Sequence, residues 1–397
     1  DRSYVEKKDE YFLSNCLSNP SSRFVLTNSG KLLCHNLPPS STDKVSLAFV
    51  DSKFILSLLQ VNDIPTLSTD YLAVVLGCTY NQDMTGDISP IWHIVIDTTF
   101  QSTDIFIAEC EKTRDRLNPI PSTSTVSDSS SSYIAVDGRS LLYNSSSQDI
   151  ALGGQALAIT SFHHLNKYHS STGAHTLSIE AGAKRVCSKS RMKIYPRIDP
   201  VAIACVISFD GEKCLLGRSR RFNKNMFSCL SGFIEQAESV QEAVRREVWE
   251  EAGVRIDTVH IILSQPWPVG RSGSCELMLG CVARAVTDEI QVNIQEMEEV
   301  RWFTRPEATA MLEASSLSHT STRGENELYT PSERAIAHHL VKEFVTSGPH
   351  YQHLMNGSYT PDINISMPVF KNIITAGISG LGLGIFLSLF LFRRLFI

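Results

Sequence analysis

Residues 232–254 read GFIEQAESVQEAVRREVWEEAGV, and six of these 23 residues are glutamate. Glu250 and Glu251 are adjacent, with Glu247 three positions earlier. Ser239 followed by Glu242 has the pattern of a capping box, with Ser239 at the N-cap and Glu242 at N3. Gly253 stands at the C′ position, where a helix stops most readily on glycine. On that helix Glu247, Glu250 and Glu251 share one face. The same face overlaps Val240, Ala243 and Val244, the apolar stripe that should pack inward. A solvated acidic face would lie opposite that stripe. Carboxylates crowded at a packed surface repel one another and lose hydration. A hard divalent cation relieves both costs, and all-oxygen ligation suits Mg2+ or Mn2+. Glu247, Glu250 and Glu251 are therefore the candidate metal-binding and catalytic residues. Arg246, four residues before Glu250 and next to Glu247, is placed to orient them.

The 397-residue chain carries a formal net charge of −6, so it has no basic footprint for nucleic acid. Its ten cysteines are scattered with no C-x-x-C pair, which fits free thiols in a reducing compartment. Residues 1–115 read as a β-rich domain, with a hairpin around Asn28 to Gly30 and a strand in IWHIVIDTTF. Residues 116–150 form a Ser-rich linker. Within 151–200 the spacing predicts a helix over Gly154 to Tyr168, with His163 and His164 at its surface, and then a connector ending in YPRIDP. Strand and helix patterns alternate over 201–347, an α/β arrangement. A polar linker follows at 348–372. Ile373 to Phe392 is 20 residues without a charge, between Lys371 and the pair Arg393–Arg394. Twenty helical residues span roughly 30 Å, which predicts a transmembrane tail anchor over 373–392. The chain opens on Asp1, and a leading segment is expected before it.

Gly232, Glu238, Arg246-Glu247-Val248, Glu250-Glu251 and Gly253-Val254 match G-x5-E-x7-R-E-U-x-E-E-x-G-U at every fixed position. The stretch resembles the box of the Nudix hydrolases. Ser264-Gln265-Pro266-Trp267-Pro268, just downstream, resembles the SQPWPFPxS array of the NADH pyrophosphatases within that superfamily. LGRSRRFNKNMFSCLSGFIE, YPRIDP and EMEEVRWF extend the match. The likeness covers roughly residues 150–312 well and the front half more loosely. It is strongest to the animal mitochondrial branch with a degenerate zinc ribbon.

This resemblance implies an α+β or α/β chain: a β-rich N-terminal Nudix-like domain, then a Nudix α/β/α sandwich with a mixed sheet. It implies metal-dependent hydrolysis of the pyrophosphate of NADH or NAD+ to nicotinamide mononucleotide and AMP, with NAD-cap removal from RNA alongside. Family ligands carry over to Glu247, Glu250, Glu251, Glu296 and the backbone carbonyl of Ser231. Tyr195 matches the aromatic that contacts the nucleotide, and Gln265, Pro266, Trp267 and Pro268 would line the substrate cleft. A homodimer and a mitochondrial or peroxisomal, membrane-anchored location are further expectations. Where relatives place two C-x-x-C pairs, this chain has His169 with Thr172 and Cys187 with Ser190. Two ligands do not close a tetrahedral site, so no structural Zn2+ is expected. Val269-Gly270 replaces Phe-Pro in the array, which leaves two alternatives open. One is a Nudix hydrolase for ADP-ribose or coenzyme A; the other is a catalytically silent nucleotide-binding membrane adaptor.

Overall fold

A computed structural model describes residues 11–38, 41, 43–61, 71–82, 88–117, 132–267, 270, 275–316 and 326–347. The chain divides into two units, Asp1–Pro349 and His350–Ile397, and every described residue belongs to the first. No helix among the described residues is long and apolar enough to cross a membrane. The C-terminal transmembrane helix expected at 373–392 is therefore corrected: it has no support, and its residues lie outside those described. The membrane partner and the anchored location expected from that helix likewise have no support among the described residues.

Near-continuous apolar runs build the sheet that carries the acidic helix. Strand Ile198–Ile207 contains VAIACVI, whose seven residues are all buried, the signature of a strand covered on both faces. It pairs in parallel with Cys275–Ala285, from Ile198 opposite Cys275 to Ile207 opposite Arg284. The sheet runs Ile256–Trp267, Cys275–Ala285, Ile198–Ile207, Lys213–Ser219, Met297–Thr304, and Leu230–Phe233 also pairs with Ile198–Ile207. The other pairings are antiparallel, so the sheet is mixed as expected. Ala243, Val244, Val248 and Ala252 of helix Val240–Ala252 are buried in one core with Ala202, Ala204, Val206 and Cys281 of the sheet. Full burial of a valine is worth about 1.5–3 kcal/mol, so Val244 and Val248 fix which way this helix faces.

The front half forms a seven-stranded sheet with Arg23–Asn28 central, hydrogen-bonded in parallel to Ile88–Thr98 and antiparallel to Lys31–Asn36. The hairpin around Asn28 is as expected. The Ser-rich stretch holds more than loop: Tyr133–Val136 joins the sheet beside Lys31–Asn36, and helix Gly138–Asn144 follows it. The next helix is longer than its apolar spacing predicts, Ser147–Leu165, because the Ser146 hydroxyl caps it by accepting from the Asp149 N–H. His163 on this helix is buried, not at the surface as expected, because the hairpin that follows packs over it.

That hairpin is a three-stranded sheet of Thr176–Ile179, Lys184–Cys187 and Lys193–Ile194. At the degenerate ribbon positions Thr172 Oγ1 lies 3.4 Å from His169 Nδ1 and 3.3 Å from Cys187 Sγ. The Ser190 N–H donates to the same sulfur at 3.4 Å. Hydrogen bonds from Ser190 and Thr172 pull the Cys187 thiol down to about 6. The four positions are thus joined by hydrogen bonds among themselves.

Candidate functional site

The helix bearing the glutamates starts and stops where its sequence dictates. Ser239 and Glu242 form both bonds of the capping box, and Gly253 closes the helix in the left-handed region at φ 68°. Between those ends Arg246 organises the acidic face. Its Nε and Nη2 donate to the two oxygens of Glu238, at 2.8 and 2.9 Å. Its Nη1 donates to Glu247 Oε1 at 2.7 Å and to Glu250 Oε2 at 3.1 Å. Nη2 also donates to the Phe233 carbonyl at 2.8 Å. All five guanidinium N–H groups are engaged, so one side chain ties the helix to the strand Leu230–Phe233 and to the turn after it. Burial costs this arginine less than the surrounding carboxylates return, and it stays protonated.

Lysine cannot reproduce that planar fork. Arg246→Lys is expected to lower unfolding free energy by about 2 kcal/mol, read from the midpoint of urea denaturation, since charge-assisted bonds are each worth ~1.5–3 kcal/mol. An unchanged midpoint would mean that the five bonds contribute nothing net.

The glutamates differ sharply in environment. Glu250 has half its side chain exposed, whereas Glu247 has 14%. Glu251 is buried, its Oε2 has no partner, and the backbone N–H of Ser231 donates to its carboxylate. Burial first, and then the charges of Glu247, Glu296 and Glu250, push the Glu251 carboxyl up to about 8. Burial also raises Glu247, against the pull of Arg246. These shifts place Glu296, which sits just before strand Met297–Thr304, in electrostatic reach of both. Gly232 is pressed against Glu247: a Cβ there would lie 1.9 Å from the carboxyl carbon.

Among the described residues, no three His, Cys, Asp or Glu side chains stand together so as to hold a metal ion. The carboxylates lean on Arg246 instead. Their chemistry still fits a hard divalent cation. The candidate donors are all oxygens, a buried carboxylate oxygen lacks any partner, and burial, with the neighbouring carboxylates, raises two of the acids.

A cavity of about 1550 Å3 opens beside the acidic face. No box glutamate lines it, and Phe233, whose carbonyl Arg246 holds, is the point where the two meet. Ile150, Ile159 and Phe162 of helix Ser147–Leu165 form an apolar wall, a contribution no local signal in the sequence announced. Tyr195, Gln265 and Pro266 are among the residues that line the cavity. Tyr195 is 57% exposed, with Lys184 Nζ 4.9 Å from its ring centroid. Gln265 is less free than its position suggests: its Nε2 donates to the Arg334 carbonyl and its Oε1 accepts from the Ile336 N–H, both at 2.8 Å. Trp267 ends strand Ile256–Trp267 opposite Glu276 and is absent from the lining residues. Pro268 lies outside the described residues. Arg197, Glu333, Arg334 and His339 also reach the cavity, and the reading of the sequence missed all four.

A family model described as the NUDIX domain matches residues 198–321. The human NAD-capped RNA hydrolase NUDT12 is 42% identical over 204 residues, which cover 49% of this chain and 41% of that protein. The human mitochondrial NAD(P)H pyrophosphatase NUDT13 is 37% identical over 212 residues, 53% of this chain and 59% of its own length. The NAD-capped RNA hydrolase NudC of Mycobacterium bovis is 35% identical over 214 residues, 53% of this chain and 65% of its own. The chain thus spans roughly half the length of these curated relatives.

Proposed function

We propose, from the match of residues 198–321 to the NUDIX domain model, that this chain hydrolyses the pyrophosphate of NADH or NAD+ to nicotinamide mononucleotide and AMP. The observation that carries the reading is the cavity of about 1550 Å3 that meets the acidic face at Phe233. Pockets for drug-sized ligands run ~300–1,000 Å3, so this one suits a molecule as large as a dinucleotide. Its apolar wall of Ile150, Ile159 and Phe162 suits a base. The names of the relatives, on NAD(P)H and on NAD-capped RNA, support the same substrate class and extend it to capped RNA.

Glu247, Glu250, Glu251, Glu296 and the Ser231 carbonyl are the residues that would hold Mg2+ or Mn2+. The cation, when bound, neutralises the pyrophosphate and polarises the phosphorus under attack. Arg246 orients Glu247 and Glu250 from one guanidinium. Glu250 has the solvent access needed to take a proton from the attacking water. Tyr195 offers its exposed ring to a base. Gln265 acts through the chain it fixes, since its amide is committed to residues 334 and 336.

The test offers NADH, NAD+, ADP-ribose, coenzyme A and NAD-capped RNA to the full chain in Mg2+ or Mn2+, with products resolved by chromatography. Reduced nicotinamide mononucleotide and AMP should appear fastest from NADH. Faster turnover of ADP-ribose or coenzyme A would redirect the substrate assignment. Binding without turnover of any of the five would sink the enzymatic reading.

A further inference from the structure

Away from the acidic face, the last turn of helix Ser147–Leu165 and the hairpin behind it enclose a second cavity of about 290 Å3. Arg185, Lys167, His163, His164, His175 and Thr176 line it, and no carboxylate does. Lys167 and His164 alone would be unremarkable, because the carbonyl end of a helix attracts cations. Arg185 and His175 come from the hairpin, and the helix does not account for them.

The hydrogen bonds show how positive this cavity is. Arg185 Nε donates to Thr176 Oγ1 at 2.6 Å, and its Nη2 to the Thr176 carbonyl at 2.8 Å. Its Nη1 donates to His163 Nδ1 at 2.6 Å. His163 is therefore the neutral tautomer with its proton on Nε2, which donates to the Gly182 carbonyl at 2.8 Å. Three neutral acceptors hold this half-buried guanidinium, and no ion pair to a carboxylate is formed by Arg185 or Lys167 among the described residues. Burial is what acts on the Arg185 charge, and it acts against it. Asp97, which reaches His164, also accepts from Thr27, and Glu180 of the hairpin pairs with Lys184 and Lys193. Two of the five Arg185 N–H groups have no partner in these bonds. A half-buried cation without a counter-charge is costly, and an anion with several oxygens removes that cost. A planar guanidinium matches such oxygens two at a time. Tyr168, its ring tilted 41° against His175 with centroids 4.5 Å apart, also lines the cavity.

We propose that the cavity between the end of helix Ser147–Leu165 and the Thr176–Cys187 hairpin is a binding site for a phosphate group, with Arg185 and Lys167 as its charge-bearing residues. The site is separate from the acidic face, so it stands whether or not the hydrolytic reading does. The phosphate is either free or carried in an RNA chain, and the two sources present the same oxygens.

Isothermal titration of the full chain, in EDTA to silence the metal face and at fixed ionic strength, decides the matter. One arm uses inorganic phosphate and the other an uncapped tetraribonucleotide with a 5′-hydroxyl. Arg185→Met should weaken whichever probe binds by at least ~10-fold, the loss of one charge-assisted pair. Because Arg185 also braces the hairpin, Lys167→Met serves as a second variant: it is exposed, should leave the fold intact and should weaken binding by about 3-fold or more. Binding of phosphate that both variants weaken supports the site with a free anion as ligand. Binding of the oligonucleotide alone, weakened likewise, supports it with the RNA backbone as ligand. No binding of either probe, or binding that a folded Lys167→Met and a folded Arg185→Met leave unchanged, overturns the proposal.

Discussion

Glu251→Gln is expected to lower hydrolysis about 10^3-fold while making the metal-free chain more stable. The two effects have one origin. Burial and the charges of Glu247, Glu296 and Glu250 raise the Glu251 carboxyl to about 8. An unfolded glutamate loses its proton near pH ~4.3. Between those values the folded chain binds the proton more tightly than the unfolded one, so stability falls as pH rises through the window. The penalty is small below pH ~4.3 and complete above about 8. Glutamine never ionises, still accepts from the Ser231 N–H, and places an N–H donor among the neighbouring carboxylates. Thermal melts in EDTA should therefore show the variant ahead of wild type at pH 8 by a few degrees, a gap of ~2 kcal/mol that closes toward pH 5. Activity moves the other way, because the ionised, poorly satisfied carboxylate is what a cation would bind. A variant less stable than wild type in EDTA at pH 8 would contradict the electrostatic account. One that keeps its activity would remove Glu251 from the site.

The contrast between what was and was not legible follows the range of the interactions. Helix Val240–Ala252 could be read to the residue because a capping box, a terminal glycine and a carboxylate face are all encoded within a few positions. Strand Ile198–Ile207 was legible for a similar reason, its continuous apolar run. Arg246 was partly legible. Its place beside Glu247 and Glu250 follows from helix geometry, but its hold on Glu238 and on the Phe233 carbonyl depends on how the preceding turn folds back. Gln265 could not be read at all beyond its motif, since its amide partners lie 69 and 71 residues away in the chain. The same applies to His163, whose burial is decided by Gly182 and Arg185, and to Tyr133–Val136, whose partner strand lies about a hundred residues earlier. Serine content alone reports only that nearby residues are small and polar. Apolar content misled in the opposite way at 373–392, where a run without charge satisfies a length rule and nothing among the described residues supports a membrane span.

Gly232→Ala should separate function from stability most cleanly. Gly232 pairs with Ala202 across the strand boundary in ordinary extended backbone, so an added methyl meets no conformational objection. Its obstacle is one group: the new Cβ would sit 1.9 Å from Glu247 Cδ and Oε1 and 2.2 Å from Oε2. That carboxylate is the far end of a flexible side chain, so it can swing aside without moving the helix, whose position is set by the buried Val244 and Val248. The fold should survive with a loss of under ~1 kcal/mol, inside the ordinary range for a single substitution. Swinging aside breaks the 2.7 Å bond to Arg246 and displaces Glu247 from the acidic face by an ångström or more. A misplacement of about 1 Å in a positioned group can cost ~10^2-fold, so kcat should fall by that factor while the melting temperature barely changes. Raising Mn2+ should recover part of the loss, since a displaced ligand weakens metal binding before it removes the chemistry. If the variant instead unfolds, Gly232 serves the strand and not the carboxylate. If it keeps full activity, Glu247 has no role that depends on where its carboxylate stands.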